Sequence, residues 1–141
     1  MTTNAITLSN SDDAGTLVLR AALAILLLFH GVAKITGGIG PISGMLAGVG
    51  LPGSLGYLVY VGEVIAPLLM LAGVFTRAAA LIVVVNMIVA VLLAHTGDLF
   101  QLGAAGGWKL ELQGLYLVAA IAVALLGAGR YSIGGAGGRF N

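Results

Sequence analysis

The chain contains no cysteine, and only 8% of its 141 residues are charged. Without thiols there is no disulfide, no Fe–S cluster and no thiol relay, so any electron chemistry must run through a bound cofactor, a quinone or a partner subunit. Soluble domains carry about 25% charged residues. A chain with so few, with 60% hydrophobic residues and a mean hydropathy of +1.12, reads as an integral membrane protein with the lipid bilayer as its first partner. A formal net charge of +1 and the lack of any basic cluster exclude a nucleic-acid partner. Residues 1–14, MTTNAITLSNSDDA, hold Asp12 and Asp13 but no Lys or Arg, so they lack the basic region of a cleavable signal and read as a polar tail.

Four apolar stretches, 15–33, 55–78, 78–94 and 110–127, approach the roughly 20 residues that a bilayer crossing needs. Between the first two, residues 35–54 carry seven glycines and two prolines, which interrupt any span and leave room for a short interfacial helix over 42–47. Thr76 and Arg77 predict a tight turn that returns the third span antiparallel to the second. A polar loop covers 96–109, and the glycine-rich residues 133–141 predict a flexible tail. The expected fold is all-α: an integral membrane antiparallel four-helix bundle over 15–132. Small residues at Gly62, Ala66, Gly73, Ala90, Ala94, Gly114 and Ala122 suit close helix packing. Arg20, Arg77, Arg130 and Arg139 fall on one side and Lys34 and Lys109 on the other. The positive-inside rule then places both termini in the cytoplasm of a bacterial-type inner membrane.

Glu63 is the residue around which the rest is arranged. It lies about eight residues, roughly 12 Å, into the second span, where an ionisable group is by default a functional candidate. Four residues on, Pro67 lacks the N–H that would bond the carbonyl of Glu63, so a free carboxyl and a free carbonyl belong to one residue. On the first span Arg20, His30 and Lys34 fall within an arc of about 80°. His30, Lys34, His95 and Glu111 all fall at the outer rim, with Tyr57, Tyr60 and Trp108 as interfacial aromatics. A structural alternative makes Glu63 only the partner of a helix-joining cation. The two histidines admit haem ligation as the weakest reading, against proton exchange with a quinone headgroup or another small polar ligand, or a structural role as interfacial residues bonded to loop carbonyls. Arg77 and Arg130 read as anchors snorkelling to headgroups, Asn86 as an interhelical hydrogen-bonding residue, and Met45, Met70 and Met87 as packing. No metal site is expected. The letters GVGLPG at 48–53 match a dinucleotide fingerprint but have no strand before them.

The segments LRAALAILLLFHGVAKI, GEVIAPLLMLAGVFTRAAAL, MIVAVLLAH and ELQGLYLVAAIAVALLGAGRYSI together resemble the DoxX family of small four-helix membrane proteins over residues 17–132. The resemblance rests on Arg20 with His30, Gly31 and Lys34, on Gly62-Glu63, on Gly73 with Thr76-Arg77, and on His95, Glu111 and the Gly129-Arg130-Tyr131-Ser132 run. The chain departs from the pattern at Gly134, where an acid is common. The resemblance implies a membrane subunit of a quinone-linked oxidoreductase system, with other membrane or soluble redox proteins as partners and homo-oligomerisation as a further expectation. The expected catalytic residues are Glu63 and His30. Arg20, Lys34, Tyr60, His95 and Glu111 are expected to bind the ligand. Two other classes compete: a proton-coupled transporter gated by Glu63, and a noncatalytic anchor for a redox partner.

Overall fold

In this computed structural model the backbone is described for residues 2–141 and the side chains from Asn10 onward. Helix α1, Thr2–Gly37, runs without a break through the polar segment expected to be a tail. Gly38, at φ 79°, ends it. Helix α2, Gly40–Gly48, starts on a proline in its first turn, where the missing N–H costs nothing, and is longer at both ends than the interfacial helix expected at 42–47.

The second apolar stretch is not one regular helix. It opens as a 3₁₀ turn, Gly53–Leu58, passes through a π turn, Val61–Ile65, and continues as a regular α-helix, α3, Ala66–Ala72. Pro67 is the physical reason. Because residue 67 cannot donate to the Glu63 carbonyl, the winding loosens, and the Ala66 N–H reaches back five residues to the Val61 carbonyl. Gly73, left-handed at φ 71°, closes α3 with N–H bonds from Gly73 to Met70 and from Val74 to Leu69. The reversal is therefore residues 73–75. Thr76 and Arg77, expected to form the turn, instead begin α4, Thr76–Ala94. A loop containing the short 3₁₀ turn Thr96–Asp98 leads to α5, Glu111–Leu126. Among the described residues there is no strand, only an isolated bridge pairing Leu102 with Trp108.

Three stretches, Asn10–Gly37, Gly53–Ala72 and Thr76–Ala94, are long and apolar enough to cross a membrane, and α5 is a shorter apolar helix. Leu27, Ala66, Met70, Val83, Ala120 and Val123 are fully or almost fully buried where these helices meet. The outward faces carry Phe29, Leu81, Leu92, Leu115 and Leu125, all exposed. Such surfaces suit lipid rather than water.

Two arginines join helix ends. The Arg20 guanidinium is buried and donates to the carbonyls of Met70 and Leu71 at the end of α3 and of Tyr131. Arg77 does the same for α5, donating to Ala124 at 3.1 Å, Leu125 at 2.8 Å and Leu126 at 3.4 Å, and through Nε to the Asn141 carbonyl at 3.0 Å. The last carbonyls of a helix have no partners within it and carry partial negative charge, so a guanidinium there is well placed. Arg77, expected to reach headgroups, is thus held in place at this rim by the helix-end carbonyls. Residues 133–141, expected to be flexible, are tied down as well. Ile133 and Gly134 donate to the carbonyls of Ala72 and Gly73, and the buried Asn141 Oδ1 accepts both the N–H and the hydroxyl of Thr76.

Candidate functional site

The irregular second stretch aims Glu63 into the protein. Its side chain is 7% exposed, and Oε2 accepts from Lys34 Nζ at 2.5 Å. Oε1 faces Asn86 Nδ2 at 3.5 Å. Two glycines make this approach feasible. A Cβ on Gly62 would overlap the Asn86 side chain, and a Cβ on Gly31 would run into the Glu63 carbonyl and Val64. The carbonyl that Pro67 leaves without its helical donor thus lies directly against α1. Tyr60 donates from its hydroxyl to the Lys34 carbonyl at 3.0 Å, steadying the last turns of α1 where Lys34 sits.

Glu63, Lys34, Asn86 and His95 open into a cavity of about 520 Å³, whose remaining walls are apolar side chains from α2, the 3₁₀ turn and α4, among them Met45, Leu55, Val59, Val85 and Val89. That volume is in the range of small-molecule sites, and a mostly apolar wall with a few convergent polar groups is their usual composition. A lysine ammonium, a carboxylate and an amide at one end of an apolar chamber suit an amphipathic molecule with a hydrogen-bonding head and a greasy body.

His95, at the end of α4, also belongs to a surface network. Its Nδ1 is 3.2 Å from Asp98 Oδ2, and its Nε2 is 3.3 Å from Gln113 Nε2. A neutral ring donating from Nδ1–H and accepting at Nε2 satisfies both contacts. Asp98 also meets Lys109 at 2.6 Å. The hydrogen bond from Lys109, followed by that from His95, holds the Asp98 carboxyl below the usual carboxylate range.

The remaining candidates lie elsewhere. His30 bonds the Leu26 carbonyl of its own helix at 3.0 Å and sets its ring edge-on to Tyr116, with centroids 5.7 Å apart. It does not line the cavity. Arg20 sits 14 residues before Lys34, about 21 Å along α1, and its guanidinium serves the end of α3. Glu111 is exposed on the first turn of α5, its carboxyl against Gly107. Asn86, expected only to join helices, is the polar residue that completes the site. Its signal was a lone amide in an apolar span at the depth of Glu63. Among the described residues no group of three His, Asp or Glu side chains could hold a metal.

Residues 15–96, more than half of the chain, match the DoxX family, a stretch that includes all four polar residues of the cavity. The chain is also similar to a protein of Bacillus subtilis (strain 168) named "Putative oxidoreductase CatD", at 28% identity over 110 residues, covering 78% of this chain and 81% of that protein. No solved structure matches the chain.

Proposed function

The chain belongs to the DoxX family, and from that premise we propose that it is the membrane subunit of a quinone-linked oxidoreductase system, with the quinone headgroup bound in the cavity at Glu63. The observation that carries this reading is the Lys34–Glu63 ion pair, with Asn86 beside it, in a chamber whose walls are mostly apolar. The Lys34 ammonium and the Asn86 amide donate to the quinone oxygens, which gain charge on reduction. The Glu63 carboxylate, which accepts from Lys34, would act as a relay, taking a proton from water and handing it to a quinone oxygen. A quinone held here would become quinol by taking two electrons from a membrane or soluble redox partner and two protons from water, with the Lys34 ammonium placed to offset the charge its oxygens gain. Of the residues first expected to share this work with Glu63, Lys34 lies beside the carboxyl and His30 and Arg20 do not, while Asn86 joins it. The quinone tail lies along the apolar walls.

The same reading takes α1, the second stretch, α4 and α5 as an antiparallel four-helix bundle in a bacterial inner membrane, with both termini in the cytoplasm. Antiparallel neighbours are supported by contacts at both ends of each pair: Lys34 with Glu63 and Arg20 with Met70, then His95 with Gln113 and Arg77 with Leu125.

Organic extraction and absorbance spectroscopy of the purified protein test the function. Wild type retains quinone, and Glu63→Gln and Lys34→Met each retain several-fold less. Equal retention by all three overturns the assignment. Solute uptake into proteoliposomes without any redox partner would overturn it in favour of the proton-coupled carrier.

A further inference from the structure

At the opposite end from the quinone cavity, a second groove of about 450 Å³ runs between α4 and α5. Leu81 and Val84 form one wall and Ile121 and Leu125 the other, while Arg77 and Arg139 sit at its end. No acidic side chain lines it. Leu81 and Leu125 are 57% and 73% exposed, so the groove faces outward, toward lipid in a membrane-embedded protein.

We propose that this groove is a binding site for an anionic phospholipid, with one acyl chain along the α4–α5 wall and the headgroup phosphate against Arg139 and Arg77. The depth is right, because Arg77 opens α4 and Arg139 lies in the C-terminal segment bonded to that end through Phe140, where a headgroup would lie. The charge is right too. Arg139 is exposed, its guanidinium lying over the Phe140 ring 5.7 Å from the centroid. Arg77 commits four of its five N–H donors to carbonyls, which fixes its position and leaves its charge uncompensated by any acid in the groove. A free phosphate ion would leave the apolar walls uncovered, and a zwitterionic lipid would leave net positive charge at the mouth. Basic pockets between membrane helices recognise anionic headgroups for this reason.

Native mass spectrometry of the full chain in detergent tests the site with phosphatidylglycerol and phosphatidylcholine of identical acyl chains. Wild type prefers phosphatidylglycerol. Arg139→Gln lowers that preference about fivefold, the effect of one basic residue at a membrane surface, and Arg139→Lys restores most of it. Leu125→Trp, at an exposed position, fills the groove and lowers binding of both lipids, while retention of quinone stays at the wild-type level. The proposal is overturned by an absence of preference in wild type, by its persistence in Arg139→Gln, by unchanged lipid binding in Leu125→Trp, or by displacement of phosphatidylglycerol by inorganic phosphate.

Discussion

Replacing Lys34 by methionine removes the ammonium 2.5 Å from Glu63 while keeping an unbranched side chain out to Cε. Removing one partner of a fully buried ion pair costs about 3–5 kcal/mol, because the other charge is left unpaired. Here Lys34 is 26% exposed, so water already shares the interaction and the cost falls to about 1–3 kcal/mol. At roughly 3–5 °C per kcal/mol for a chain of this size, the melting temperature in detergent drops by ~3–15 °C. In the double variant Lys34→Met with Glu63→Gln neither charge remains, so most of the loss is recovered. The coupling between the two positions should be about 1–2 kcal/mol, read as a double-mutant cycle from thermal melts of the four proteins. Strictly additive losses would mean that the ammonium and the carboxyl do not meet, and the chamber would lose its polar end.

Gly31→Ala forces a methyl group into the Glu63 carbonyl and Val64. It should destabilise the protein by about 1–3 kcal/mol, the usual range for overpacking, with quinone retention lost in parallel. Unchanged stability and retention would show that α1 and the π turn are not in contact. Acid should loosen the loop at 96–109. The Asp98 carboxyl is held below its usual range, so the stability it contributes is present above the unfolded-state value of about 3.9 and is lost as pH falls through the lowered folded value. Trp108, the sole tryptophan, donates to Leu99 in that loop and reports the change by fluorescence. Asp98→Asn should abolish the titration, and a persisting transition would assign it to another group.

Glu63 and Lys34 were legible because their signals are crude ones: a carboxyl inside an apolar run, a proline four residues on, and a cation at the matching rim of the neighbouring span. The π turn needed one step more, since a missing N–H reveals where a helix must give way but not whether it kinks, breaks or widens. Angular position alone misled for two residues. Arg20 and His30 fall on the same arc of α1 as Lys34, yet Arg20 is about 21 Å away along the axis, and His30 turns its ring toward Tyr116. Contacts between helices, which fix such choices, depend on rotamers and helix rotation that one sequence does not encode locally. The tail at 133–141 shows the same limit. Its glycines suggest freedom, whereas long-range bonds to Ala72, Gly73 and Thr76 hold it in place.

The arginine bonds at the helix ends have a mechanical consequence. Arg20 ties α1 to α3, and Arg77 ties α4 to α5, at the same rim. That rim acts as a fulcrum, and any splaying of the helices grows with distance from it. Over a lever arm of about 21 Å, a tilt of about 3° displaces the far tips by about 1 Å. The protein is thus built like a pair of tweezers whose tips are clasped by the Lys34–Glu63 pair and the His95–Gln113 contact, so a bulky molecule that enters there has those bonds to part.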